Sequence, residues 1–310
     1  MVGVALYEDK VTLCHGIYKG SDLEIISLEN RVVPTVEQLS YVKSWVTQHK
    51  LKNADCYVVL DQDEYELELI ECPPVEEDEL PEAVRWRLKD LINLPIEDAA
   101  IDIFHLPDDA YRGRMKMLYV VAASKTLIEK KIQFIKDCGL DLKIIDIEEL
   151  ALRNLSLLMP EAEQGTVAFI SLKENNGQIH MFSHEGMYLT RLIEMGYSSF
   201  IAQDTTELQI QNESQDVMVE RFVLDIQRSL DYYESQVGKG IANKIYILPS
   251  ELIDIDIREH LQRSLEQNVI NYDCKEFLSF SGELELEKCK NSDCLHVIGT
   301  LLRRGSYATG

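Results

Sequence analysis

One succession of predicted elements is written into this chain twice, and that constrains its fold more than any single motif. Val2–Leu6 is apolar, Lys10–Ile17 alternates through Val11, Leu13 and His15, and Leu23–Ser27 follows the turn Lys19-Gly20-Ser21-Asp22. Three short strands therefore open the chain. A helix fits Val36–His49, with Val36, Leu39, Val42, Lys43 and Val46 along one side, and Cys56–Leu60 reads as a buried strand. The order returns with strands at Thr166–Ser171, Gln178–Ser183 and Met187–Ile193. Val219–Ser235 then carries Val219, Phe222, Val223, Ile226, Leu230 and Tyr233 at helical spacing, and Lys244–Leu248 is a further strand. The duplication is one of architecture, not of visible sequence. It predicts an α/β protein of two similar lobes, residues 1–164 and 165–310.

A segment of different character interrupts the first copy. Glu71-Cys72-Pro73-Pro74 breaks the pattern, Val75–Leu80 is acidic, and a helix from Pro81 to about Leu91 follows, with proline suited to its first turn. Ile101–Leu106 and Met117–Ala123 read as strands around the polar loop Pro107–Lys116. Residues 72–123 are thus expected to form a small α/β insert in the first lobe. Lys125–Cys138, stopped by Gly139, and Glu148–Leu158 read as helices around the strand Leu142–Ile147.

Charge narrows the function. Acidic residues outnumber basic ones 54 to 31, a formal net charge of −23 that repels nucleic acid phosphates and anionic lipid headgroups and attracts basic partners. No apolar run reaches the ~18 residues of a membrane span, and the N-terminus has no secretory pattern. The seven cysteines are scattered and odd in number, as expected for reduced thiols in a cytoplasmic compartment. Cys289 and Cys294 with His296 lack the second ligand pair of a zinc site, so no metal is expected. His180 and His184 read as an outer-face pair on a strand and its turn. No P-loop, Gly-x-Ser-x-Gly or His-Glu-x-x-His motif is present.

Several stretches, in order, are more specific. Leu80–Pro95 followed by Ala100-Ile101-Asp102, Val120–Lys125, Asp146-Ile147-Glu148 with Ala151-Leu152-Arg153, Asp225–Tyr233 and Val297–Arg303 together resemble PilM-type pilus proteins. The likeness spans nearly the whole chain and leans to the MshI branch, which serves mannose-sensitive haemagglutinin pili. It implies an actin-like (ribonuclease H-like) fold of duplicated βββαβα lobes, with the insert in the first. It also implies a PilN-like inner-membrane partner whose N-terminal cytoplasmic tail binds beside the insert.

Actin-like ATPases hold nucleotide phosphates in two hairpin turns built of small residues, because backbone N–H groups must approach closely. Here the first turn, Tyr7-Glu8-Asp9-Lys10, has no glycine and places two carboxylates where phosphate oxygens would arrive. Glu8 and Asp9 as metal ligands with Lys10 on phosphate is the competing reading; a plain polar turn is preferred. The second turn contains Lys173, Asn175 and Gly177 without the family's Asp-x-Gly pattern, and Ile247-Leu248 leads into Pro249-Ser250-Glu251 instead of a Gly-Gly pair. The expectation is a scaffold with no catalytic residue, no cofactor and no nucleotide hydrolysis. Its rivals are a nucleotide-binding ATPase and a type II secretion assembly domain.

The expected docking wall comprises Glu76, Glu77 and Glu79 to capture basic tail residues, Arg85 and Trp86 on the insert helix, and Ile101, Ile103, Leu118 and Val120 on the insert strands. Trp86 lies off the apolar stripe Val84, Leu88 and Leu91, and packing against the neighbouring sheet is preferred for it over an exposed anchor. A cytoplasmic location, peripheral at the inner membrane through the partner only, follows from this reading, and a homodimer stays open.

Overall fold

The computed structural model describes residues 1–200, 215–250, 257–281 and 291–303, which form two compact units. Unit one holds Met1–Leu155 with the described parts of 278–289 and 293–310; unit two runs from Ser156 to Phe277 with 290–292.

In unit one, β1 (Val2–Leu6), β2 (Lys10–Lys19) and β3 (Asp22–Val32) form an antiparallel meander, followed by α1 (Thr35–Gln48) and β4 (Asp55–Val59). Next come β5 (Tyr65–Glu71), α2 (Leu80–Leu88), β6 (Ala99–His105), β7 (Met117–Ser124), α3 (Lys125–Asp137), β8 (Asp141–Asp146) and α4 (Glu148–Ser156). Unit two contains α5 (Pro160–Gln164), β9 (Val167–Leu172), β10 (Gly177–Phe182), β11 (Met187–Ile193), α6 (Gln215–Tyr232), β12 (Lys244–Ile247), α7 (Ile257–Ser264), β13 (Val269–Asn271) and α8 (Cys274–Phe277). The chain then supplies β14 (Ser279–Phe280) and α9 (Ser292–Leu301).

The main sheet of unit one has the order β14-β3-β2-β1-β4-β8, with β1 parallel to β4 and β4 parallel to β8. Its core joins Val2, Val4, Leu13, Val42, Trp45, Val58 and Ile135. In α1 the buried side chains are Gln38, Val42, Trp45 and Val46, whereas Val36, expected on the buried stripe, is 91% exposed. Unit two has the sheet β11-β10-β9-β12-β13, backed by α6 through Val219, Phe222, Val223, Ile226 and Leu230 as the spacing predicts. His180 corrects the outer-face expectation: it is fully buried in β10, bonded to Thr190 at 2.9 Å and stacked on Phe182.

Two boundaries differ from the sequence reading. The insert is a three-stranded sheet, β5-β7-β6, so it begins at Tyr65 and not at 72. The signal was present as the period-two alternation of Tyr65, Leu67 and Leu69 with Glu66 and Glu68. The C-terminal segment, expected in the second lobe, returns to unit one: β14 pairs in parallel with β3, and α9 lies on the main sheet. Gly3 and Gly16 make room there, since a Cβ at either would press on Val297 or Leu301. Cys289, Glu251 and the tail 304–310 lie outside the described residues; Cys294 is buried in α9, and no cluster able to hold a metal occurs among the described residues.

Where α9 crosses α4, Gly299 touches Ala151 so closely that an added Cβ would lie inside the contact radius of the Ala151 carbonyl oxygen. Asn154 Nδ2 donates to the Gly299 carbonyl across the same crossing at 3.1 Å. Backbone atoms fill the space, so no side-chain rotation relieves the clash. Gly299→Ala is expected to destabilise the protein by about 2 kcal/mol or more, despite alanine's better helix propensity. Urea denaturation with an unchanged midpoint would count against this crossing.

Candidate functional site

The turn Tyr7–Lys10 is held by its own chain. Lys131 Nζ donates to the Leu6 carbonyl at 3.3 Å, Gln38 Nε2 to Tyr7 at 2.7 Å, the Thr35 hydroxyl to Glu8, the Val33 amide to Asp9 at 2.7 Å and the Tyr7 amide to Lys10 at 2.9 Å. Every carbonyl from Leu6 to Lys10 is thereby satisfied. Lys10 forms an ion pair with Asp293 of α9 and stands 4.5 Å from the centre of the Tyr7 ring. Burial, with Asp293 and Glu148 nearby, pushes the Tyr7 hydroxyl well above the usual phenol range. Glu8 and Asp9 are exposed. Lys10 is therefore a structural cation, and the two carboxylates crown a rigid turn.

In unit two, Lys173 N–H closes the hairpin on Asn176 at 2.9 Å, and the carbonyls of Lys173 and Glu174 accept from Tyr197 and Ser198 at 3.0 and 2.9 Å. A Cβ on Gly177 would meet Leu172, the Met195 carbonyl and Phe222, each at 3.2 Å. Its smallness is consumed by packing. Asn175 is exposed and Lys173 half-buried.

The insert sheet offers the other candidate site, and its two faces have separate tasks. One face packs on α2: Ile70, Leu118, Val120 and Ala122 join Leu80, Val84 and Leu88, with Ile101 and Ile103 against the same cluster. Leu118 and Val120 are fully buried there, which removes both from the expected docking wall and corrects that assignment. The reason is strand parity, because neighbouring residues of β7 point to opposite faces. The opposite face carries Phe104 and Val121 with Tyr65, Leu67 and Ala123, packed against Leu60, Ile128, Ile145, Ile147 and Leu150.

That face opens into a cleft of about 180 Å³ between the insert sheet and β8, α3 and α4. Ala100, Phe104, Val121 and Ala123 line one wall; Leu60, Ile128, Ile145, Ile147 and Leu150 line the other. The polar side chains of the lining are Asp102, Asp146 and Arg303, and Ile101 borders the cleft from the strand. Of the expected docking residues Ile101 alone reaches the cleft. Phe104, Val121 and Arg303 line the cleft without having been among the candidates, and a parity assignment of β7 against the Val84–Leu88 stripe, carried across to β6, would have pointed to the first two.

Beside the cleft runs an edge. Among the described residues β6 pairs only with β7. The Leu106 amide donates to Met117 at 3.1 Å. Antiparallel alternation then directs the main-chain groups of Ile101, Ile103 and His105 away from β7. The Asp102 carboxylate accepts from the Ile103 amide at 2.9 Å, which partly covers this edge.

The remaining candidates lie outside the cleft lining. Glu76, Glu77 and Glu79 are exposed on the segment before α2. Arg85 is turned inward and donates to the Ile96 carbonyl. Trp86, expected to pack, is 71% exposed, because Leu80, Val84 and Leu88 take the buried side of α2.

No protein-family model matches the chain, and no curated protein matches it. Solved structures do. The PilM-PilN type IV pilus biogenesis complex aligns with a TM-score of 0.75 at 16% identity, over 97% of this chain and 97% of that one. The cytoplasmic domain of EpsL, an inner membrane component of the type II secretion system of Vibrio cholerae, aligns with a TM-score of 0.54 at 16% identity, over 100% and 98%. A Bacteroides thetaiotaomicron protein with an actin-like ATPase fold and unknown function gives 0.51 at 11% identity, over 96% and 95%. The fold is thus the mixed α/β actin-like ATPase fold, in a form structurally similar to PilM.

Proposed function

We propose that this chain is a cytoplasmic scaffold of a type IV pilus assembly machine, of the MshI-type branch of PilM-like components. It docks the N-terminal tail of a PilN-like inner-membrane protein and hydrolyses no nucleotide. The observation that carries this reading is the apolar cleft of unit one with the β6 edge beside it. An extended segment entering there gains main-chain partners from Ile101, Ile103 and His105 and sends alternate side chains between Phe104 and Val121 on one side and Ile145 and Leu150 on the other. The net charge of −23 favours a basic cytoplasmic tail over an anionic lipid surface. No described helix is long and apolar enough to cross a membrane, which agrees with recruitment through a partner. The likeness to the PilM-PilN complex supports a PilN-like partner, and the likeness to the EpsL domain supports the rival assignment to type II secretion. The protein that co-purifies with the tagged chain from its native host separates the two.

Tail binding is tested with a labelled peptide of the partner's N-terminal cytoplasmic segment. Ala100→Trp fills the cleft from the strand edge and is expected to abolish binding while leaving the melting temperature within a few degrees of wild type. Replacing Glu76, Glu77 and Glu79 together by Lys is expected to slow association and flatten its salt dependence with dissociation unchanged, because exposed charges act over a Debye length of ~8–10 Å. Binding that survives Ala100→Trp would remove the cleft from the mechanism.

The nucleotide part is tested separately. A ligand of the folded state raises the melting temperature by mass action. With Lys10 paired to Asp293 and Gly177 closed in by Phe222, millimolar Mg-ATP is expected to leave the melting curve unmoved. Saturable micromolar binding by titration calorimetry would establish the ATPase reading instead.

A further inference from the structure

We propose that the outward face of α2, centred on Trp86, is a second docking surface, separate from the cleft, for a protein segment that carries arginine or lysine beside an aliphatic side chain. The insert sheet stands between the two surfaces. On one of its faces α2 packs through Leu80, Val84 and Leu88, and on the other the cleft opens beside Phe104 and Val121. The side of α2 opposite those three residues therefore points away from the sheet and from the cleft behind it. A short extended tail lying along β6 does not reach it.

Trp86 stands on that outward side with 71% of its surface exposed, whereas the chain's other tryptophan, Trp45, is 4% exposed in the main core. A lone exposed apolar side chain is ordinary. What distinguishes Trp86 is its surroundings. Residues three and four apart are neighbours on a helix surface. Glu82 therefore flanks the indole one turn before it, and Lys89 and Asp90 flank it one turn after, where the backbone is still helical. Glu79, two turns back, falls on the same side. All four are exposed, and the acidic segment Glu76–Glu79 leads into the helix. The two arginines of α2 are spent on main chain: Arg85 donates to the Ile96 carbonyl and Arg87 to that of Glu71 at 2.9 Å. On this face Lys89 is left against Glu79, Glu82 and Asp90. The combination selects its ligand. An indole face attracts a guanidinium or ammonium through its quadrupole, and carboxylates around it add to the attraction. Its apolar area rewards an aliphatic side chain that covers the ring beside the cation. Tryptophan and arginine are also the residues most concentrated in interface hot spots. Nucleic acid or anionic lipid would be repelled here, and a partner without cations would desolvate the carboxylates unpaired.

The test uses the full chain with isotope-labelled tryptophan, whose indole N–H signals are assigned with Trp86→Phe. The probe is an amphipathic helical peptide of leucine, alanine and arginine. One comparator carries glutamate in place of arginine, the other serine in place of leucine. The leucine–arginine peptide is expected to shift the Trp86 signal saturably and to leave that of Trp45 in place. The glutamate peptide should do neither, and the serine peptide should bind more weakly. Trp86→Ala is expected to weaken binding roughly tenfold or more, with Trp86→Phe recovering part of the loss. Glu82→Gln combined with Asp90→Asn should slow association and flatten its salt dependence. These positions are exposed, so the melting temperature should stay close to wild type in each variant. Trp86→Ala should also leave binding of the tail peptide unchanged. An unmoved Trp86 signal, equal binding of the comparators, or indifference to Trp86→Ala overturns the surface. Loss of tail binding in Trp86→Ala would put Trp86 in the tail's own footprint and overturn its separateness. Dimerisation in analytical ultracentrifugation that Trp86→Ala abolishes would assign the face to a second copy of this chain and overturn the basic partner.

Discussion

The two-sidedness of β7 governs the insert and, through it, the candidate site. A central strand has two faces, and in β7 both are apolar, so each needs cover from water. Ile70, Leu118, Val120 and Ala122 satisfy one face by taking α2, which is why that helix spends Leu80, Val84 and Leu88 inward and turns Trp86 out. The other face, with Tyr65, Val121 and Ala123, closes only partly on Leu60, Ile145 and Ile147. The cleft is the unfilled remainder of that second packing. Its apolar character is therefore a consequence of how the insert is attached, before any ligand is considered.

Charge is distributed by the same economy. With 31 basic residues against 54 acidic ones, several cations that reach the interior of unit one are bound to a carboxylate of the chain: Lys10 to Asp293, Lys131 to Glu64, Arg303 to Asp146. Two of these three pairs tie the C-terminal segment to the sheet it returns to, one through Asp293 of α9 and one through Arg303 just after it. The acidic excess is left on exposed segments, including Glu76–Glu79 and the tip Glu8-Asp9. Long-range attraction of a basic partner and local rigidity thus draw on different carboxylates. Exposed ones steer, and buried ones hold cations in place.

The duplicated order of elements was legible in the sequence because each lobe's strands and its main helix keep a clean period: Val219, Phe222, Ile226 and Leu230 all face inward as spaced. The face that lines the cleft was not. Ile101, Ile103, Leu118 and Val120 are as apolar as Phe104 and Val121, and alternation within a doubly covered strand does not say which parity meets the helix. The missed strand β5 hid behind its glutamates, whose side chains reach the edge of a small sheet; Glu66 is bonded to Asn93 at 3.0 Å. Arg303 was beyond local reading altogether, since its partner Asp146 lies more than half the chain away and only the return of α9 joins them.

In the two turns that correspond to the phosphate-holding turns of actin-like ATPases, the protein's own groups occupy the available contacts, each by a different route. From Leu6 to Lys10 the carbonyls accept from Lys131, Gln38, Thr35, Val33 and Tyr7, and Lys10 is paired with Asp293. In the second turn the glycine survives, yet Leu172, Met195 and Phe222 occupy the space that a missing side chain provides. A glycine read from sequence signals close approach, but not by what. Here the approaching group is the protein itself. Under the proposed docking, the tied-down turns and the β6 edge, which among the described residues pairs only with β7, would divide the labour, the actin-like core serving as a frame and the inserted sheet as the recognition surface.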